Sequence, residues 1–327
     1  MEGGAATAER SRDHRADYRP KGTDSRTSRW ATVKRTVQEF QEDNMTDWAA
    51  ALTYYGLLSL FPALIALVSL VGLFADPKPA AKTITDIVTS IGPSSAGDTF
   101  RGPIESITSD RQTAGLLLIV SLAGALWSAS GYIGAFTRAS NVIYETPEGR
   151  PFWKLRPLQI LVTLAMVIML ALVALALTLT GPVVEQVAEP LGVGDTAITV
   201  WDIAKWPVLL AVVITMIAVL YYATPNVKLP GFKWITPGAI LAIVVWLVAS
   251  VGFAFYVSQF GSYDKTYGTL GGMIALLVWL WISNCALLLG HEVNAERERN
   301  RELEQGLPAE RELQLEPRDE PDTPKTT

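Results

Sequence analysis

Apolar residues in this chain come in six long runs separated by short polar stretches. The runs lie at about 48–74, 114–136, 158–180, 207–223, 235–260 and 267–289. None of the six holds an Asp, Glu, Lys or Arg. About 20 apolar residues, at 1.5 Å each, cross the ~30 Å of hydrocarbon in a bilayer. Each run therefore predicts a transmembrane helix. The expected fold is all-α: a polytopic membrane protein with six transmembrane helices. The first is expected to take Thr46 or Asp47 as its N-cap. Pro207 and Pro237 fall in the first turns of the fourth and fifth, where proline is tolerated. The second and sixth are expected to continue as helix to Tyr144 and Ala295.

Weaker patterns flank these runs. Trp30, Val33, Val37, Phe40 and Met45 recur at helical spacing, with Lys34, Arg35, Gln38 and Glu39 mostly on the other face. This predicts an amphipathic N-terminal helix. It either lies in the membrane interface or packs on the protein's own loops. Residues 75–112 form the first outer loop. Ile84, Ile87, Val88 and Ile91 mark one short amphipathic helix there, and Phe100, Ile104 and Ile107 another. The pair is read as a lid dipping into the outer leaflet or as surface-packed helices. The domain reading is a disordered arm at 1–29, a membrane domain at 30–296 and a disordered tail at 297–327, since the arm and tail lack an apolar period.

Charge fixes the orientation. The composition is 50% hydrophobic and only 18% charged, so the placement of a few Lys and Arg residues matters. They concentrate before the first run, at Arg138, Arg150, Lys154 and Arg156, at Lys228 and Lys233, and at Arg297, Arg299 and Arg301. The loops after the third and fifth runs hold Lys205 with Glu185, Glu189, Asp195 and Asp202, or Lys265 alone, while the first outer loop holds Lys78, Lys82, Arg101 and Arg111 over a long stretch, which counts less in this rule. Positive loops stay on the cytoplasmic side. Both termini are thus expected in the cytoplasm, which requires an even number of spans. Trp48, Trp153, Trp201, Trp206 and Trp234 fall near span ends, as an interfacial belt requires.

Candidate chemistry is sparse. Cys285 is the single cysteine, so no intrachain disulfide forms. His291-Glu292-Val293-Asn294-Ala295 begins like a zinc-protease helix but lacks the second histidine. No catalytic, metal or cofactor site is expected, and the protein is not read as an enzyme. Glu292 is the carboxylate nearest to a span, at its cytoplasmic end, where an interfacial helix-end role competes with an ion-pathway role. The uncharged polar residues stand out more. Tyr54, Tyr55 and Ser59 belong to the first span, Ser128 and Asn141 to the second and its extension. Asn284, His291, Glu292 and Asn294 belong to the sixth. Asn284 and His291, seven apart, share a helix face. Such groups glue helices together in lipid at ~0.6–2 kcal/mol each, or they line a polar cavity between the first, second and sixth spans. Gly124 with Ser128, Ser130 with Gly134, and Gly131 with Ala135 repeat at four-residue spacing and permit close helix contact on the second span.

Residues 49–62, AAALTYYGLLSLFP, resemble the first-span signature of the YihY/BrkB family of bacterial inner-membrane proteins. Tyr267-Gly268-Thr269-Leu270 with Leu288-Leu289-Gly290-His291-Glu292-Val293-Asn294-Ala295 resembles its last-span signature, although His291 stands where the family usually has alanine. Leu220-Tyr221-Tyr222, Pro225-Asn226 and Pro237-Gly238 also fit, and the resemblance covers roughly 30–296. It implies six spans in the bacterial inner membrane and no settled activity; members carry virulence-factor or ribonuclease labels. The expected function is a transporter or lipid-translocating protein of the envelope. Its partners are membrane lipids and a lipid or small-molecule substrate, not nucleic acid. A scaffold acting through its tails is the alternative, and a membrane-tethered ribonuclease the remote one.

Overall fold

The structure is a computed structural model, and it describes residues 29–74, 114–178, 195–259 and 269–321. Most of the N-terminal arm, the first outer loop with its two expected helices, and residues 322–327 lie outside the described residues. Among those described, seven helices form: α1 (Arg29–Glu42), α2 (Met45–Phe74), α3 (Ala114–Ile143), α4 (Phe152–Thr178), α5 (Asp195–Ala223), α6 (Pro237–Gln259) and α7 (Thr269–Glu304). Among the described residues the only β feature is an isolated bridge between Val227 and Pro317. Among the described residues, four stretches are long and apolar enough to cross a membrane: Phe152–Val173, Thr199–Ala223, Pro237–Gln259 and Gly271–Glu304.

Helix ends follow local chemistry, and several differ from the expected ones. Asn44, with φ 52°, ends α1, and its carbonyl accepts from the amides of Asp47 and Trp48. Thr46 and Asp47 therefore sit inside the first turn of α2 rather than capping it. Pro207 lies inside α5, which begins at Asp195. Pro237 does open α6. Thr236 Oγ1 caps that helix by accepting from Ala239 N at 3.1 Å. The left-handed Glu145 closes α3 with two crossed bonds, Glu145 N to Val142 O and Thr146 N to Asn141 O. Gly306, at φ 78°, closes α7 in the same way through Gly306 N to Leu303 O and Leu307 N to Glu302 O.

α7 is the central element. It touches α1, α2, α3 and α6, while α3, α4, α5 and α6 pack in chain order beside it. At 36 residues it is about 54 Å long, well beyond the hydrocarbon thickness. The tightest core lies at the end where α1 sits. It includes Met45, Leu52, Phe136, Ile143, Val227 and Leu288, each at most 2% exposed. Elsewhere the apolar side chains point outward: Leu161, Ile203, Val248, Val251 and Phe255 are all more than 60% exposed. So broad an apolar surface suits lipid rather than water.

The C-terminal segment is a correction to the sequence reading. Instead of a disordered tail from 297, α7 runs on to Glu304, and residues 305–321 return as an extended strap across the α1 end. Arg318 Nε donates to Val227 O at 2.9 Å and its Nη2 to Tyr222 O at 2.5 Å. Lys228 N donates to Glu316 O, and Arg318 N to Asn226 O. Leu313 and Leu315 pack on the core. The segment has no apolar period because tertiary hydrogen bonds hold it.

α6 and α7 cross where Gly238 meets Gly290. A Cβ on either glycine would strike the other's carbonyl oxygen. At Gly290 it would also come within 2.6 Å of Tyr221 Oη and 2.7 Å of Ala242 Cβ. Gly252, on the same helix as Gly238, has open space around it. Gly290→Ala is expected to cost at least ~1–3 kcal/mol by overpacking, read as a lower melting temperature in detergent. Gly252→Ala is expected to melt like the parent.

Candidate functional site

The α1 end gathers most of the buried polar and charged side chains among the described residues. Its base is a loop clamp. Asn141, on the last turn of α3, accepts from Asn226 N at 2.8 Å and donates to Glu148 Oε2 at 2.9 Å. Glu148 holds Arg150 in a two-pronged pair, with Nε and Nη2 each at 2.7 Å. Arg150 Nη2 then donates to Thr224 O at 2.8 Å, just past the end of α5. The Asn226 amide joins Pro147 O and Asp319 O on the strap. Burial raises the affinity of the Glu148 carboxyl for a proton, but the bonds from Arg150 and Asn141 outweigh it and hold its pKa below the usual range.

Above the clamp sits His291, fully buried. Its Nε2 shares a hydrogen bond with Ser140 Oγ at 3.1 Å, and Ser140 shares another with Thr224 Oγ1 at 2.8 Å. Its ring stacks on Tyr221 at 4.4 Å and meets Tyr144 edge-on at 5.3 Å. His291 Nδ1 and Glu292 Oε2 are buried without a hydrogen-bond partner among the described residues. One turn on, Glu296 is shared between Arg299 Nε at 2.6 Å and Arg35 Nε of α1 at 2.7 Å. Arg299 also pairs with Glu145 at 2.7 Å and donates to Ala309 O. Arg35 reaches Asn300, whose own amide donates to Thr32 of α1 at 2.8 Å. α1 thus docks by its polar face and leaves Trp30, Val33 and Val37 exposed.

The remaining polar residues singled out in the sequence are not gathered in one place. Asn284 bridges three helices. It accepts from Tyr132 Oη of α3 at 2.8 Å and donates to Thr53 of α2 at 3.1 Å. Asn284 and His291 therefore do share a face, and that face meets α3. Asn294 accepts from Gly238 N and donates to Thr236, so it caps α6 from the neighbouring helix. Tyr55 carries Arg138 over its ring at 5.4 Å. Ser59 is buried. Tyr54 and Ser128 are exposed. Glue between helices accounts for most of these groups.

A cavity of about 300 Å³ opens instead between the end of α5, the 229–237 connection and α7. Of the nine candidates only Asn294 lines it. Tyr144, Tyr221 and Tyr222 form an aromatic wall, and Lys233, Arg297 and Arg301 supply cations. The sequence marked those cations only as orientation signals. What it lacked was any indication that the α5–α6 connection folds against α7. Phe232, packed on Tyr222 at 5.4 Å, and Trp234 and Ile235 on the same connection are about half exposed.

Residues 36–314 match the family described as Virulence factor BrkB, from α1 into the strap. The chain belongs to that family. Among its relatives, ribonuclease-like protein YfkH of Bacillus subtilis (strain 168) is 35% identical over 258 residues, covering 78% of this chain and 90% of the relative. A UPF0761 membrane protein of Aliivibrio salmonicida is 27% identical, covering 81% and 83%. Another, from Vibrio campbellii, is 26% identical over 79% of each chain. No solved structure matches. The resemblance expected from the first and last spans is thus established, and the membrane character with it. Family membership leaves the chemistry of the site to its geometry.

Asp43, between α1 and α2, borders this site. Burial, reinforced by the carboxylates of Glu39 and Glu145, pushes its pKa from 3.8 up to about 6. A raised carboxyl pKa means that ionised Asp43 opposes folding above pH 6. The penalty fades as pH falls toward the unfolded value. Asp43→Asn is expected to melt above the parent at pH 8, with the difference closing by about pH 4. A thermal-shift series across that range measures it, and a constant offset would contradict it.

Proposed function

We propose that the protein crosses the bacterial cytoplasmic membrane six times, with both termini in the cytoplasm, and moves a lipid-like substrate at the inner leaflet. Two 30-residue helices, α2 and α3, beside the four apolar stretches among the described residues, support a count of six. The α1 end is the cytoplasmic one. Arg150, Lys154, Lys228, Lys233, Arg299 and Arg318 meet there, as positive-inside topology requires. The exposed Trp30, Val33 and Val37 then make α1 an interfacial helix.

The cavity carries the reading. Half-exposed Phe232, Trp234 and Ile235 beside it support a mouth at the level of the headgroups. A substrate with an apolar tail and a polar head fits such a place. The protein is read as non-catalytic within this proposal. A scaffold acting through a free C-terminal tail has less support, because residues up to 319 are engaged in the fold.

Purified protein reconstituted into liposomes with dye-labelled phospholipids tests the proposal. Transbilayer movement is expected to rise about tenfold or more over protein-free vesicles. An unchanged rate for every phospholipid class would sink it. Gly290→Ala protein, with its helix crossing disrupted, serves as the damaged control.

A further inference from the structure

We infer that the cavity between α5, α6 and α7 is a binding site for a phosphate-bearing anion, supplied by the headgroup of an anionic phospholipid. The inference rests on the reading of the α1 end as the inner-leaflet face. It adds a ligand class and the residues that select it.

The charge inventory is the first argument. Lys233, Arg297 and Arg301 border the cavity, and Glu298 is the one carboxylate in its lining. Glu298 is already spoken for. Arg301 Nη1 lies 2.6 Å from it and Lys233 Nζ 3.8 Å, so two cations share one negative charge. Arg297, exposed, adds a third cation. The lining therefore keeps a positive excess that an anion neutralises. A guanidinium pair with an ammonium suits phosphate oxygens, since Arg donates in a planar fork and Lys as a point charge.

The second argument is reach. The Arg301 and Lys233 side chains are 40% and 42% exposed. They are tethered near the cavity yet free to turn onto a ligand. The third is placement. Phe232, Lys233, Trp234 and Ile235 alternate a cation with half-exposed apolar residues, and the Trp234 indole is anchored on Thr215 of α5 at 2.7 Å. That stretch lies where headgroups meet tails, and a basic recess at that level between transmembrane helices receives anionic headgroups. Thr236, whose oxygen already accepts from Ala239 N and Asn294, and Tyr222 carry hydroxyls in the lining for the rest of the headgroup, whereas the Tyr221 hydroxyl is spent on Leu287 O. A soluble phosphate uses the same cations but gains nothing from the apolar rim, which favours the lipid as source.

Native mass spectrometry of the full chain in mild detergent tests this, with phosphatidylglycerol and phosphatidylcholine added in turn. Phosphatidylglycerol is expected to be retained at least tenfold more tightly than phosphatidylcholine. Each of Lys233→Gln, Arg297→Gln and Arg301→Gln is expected to weaken retention about fivefold, equivalent to about 1 kcal/mol per cation. Glu298→Gln is expected to tighten it, a gain that misfolding does not produce. Lys34→Gln and Arg311→Gln, exposed cations outside the cavity lining, are expected to change nothing. Equal loss in these controls, no gain in Glu298→Gln, or equal retention of phosphatidylcholine would each overturn the site. Displacement of phosphatidylglycerol by millimolar inorganic phosphate would overturn the lipid source. Retention without transbilayer movement would leave the site standing and remove the transport reading; movement indifferent to the three cations would do the reverse.

Discussion

The fold turns on one buried carboxylate. Glu296 is fully buried on α7 and is held by Arg299 from its own helix and Arg35 from α1. A carboxylate taken out of water is tolerable only when its partners come with it. Those partners bring other elements along. Arg299 reaches Glu145 at the end of α3 and the carbonyl of Ala309 in the strap. Arg35 brings α1. One charge thus gathers four parts of the chain around the last third of α7. It also explains how a helix too long for a bilayer stays ordered after its apolar part ends.

The two halves of α7 follow different physics. From Gly271 to about Leu289 its neighbours are helices, and close contact comes from small residues and hydroxyl or amide bonds such as Asn284 with Tyr132 and Thr53. Beyond Gly290 its neighbours include loops and the strap, and ion pairs dominate. The Gly238–Gly290 crossing lies at the join. It brings α6 close enough for Asn294 to cap it. The beginning of α6 is thus set by α7, and with it the connection that walls the cavity.

Helix existence was largely legible in the sequence. Uninterrupted apolar runs leave a bilayer-crossing helix few alternatives. Boundaries were less so: Pro207 read as a first-turn residue, yet α5 begins at Asp195. The strap was illegible for a related reason. Arg318, Asp319 and Glu316 have no periodic pattern, and their bonds go to Tyr222, Val227, Asn226 and Lys228, all far away in sequence. Polar residues within spans stand out in the sequence, but standing out does not reveal a partner. Asn141 and Asn294 turned out to organise loops and caps. Lys233, Arg297 and Arg301 were visible as charges, while their convergence depends on how the 229–237 connection folds.

The strap also sets an order of assembly. Asp319 completes the hydrogen bonding of the Asn226 amide, and its carbonyl passes so close to Gly149 that no side chain fits between them. Both partners are synthesised long before it. All the described helices precede Asp319 in the chain, so Asn226 still awaits its last partner when they have been synthesised. The α1 end is therefore completed by the last-made of the described segments. A chain truncated before residue 317 would keep its helices and lack the seam that fastens the 147–150 and 224–228 segments together.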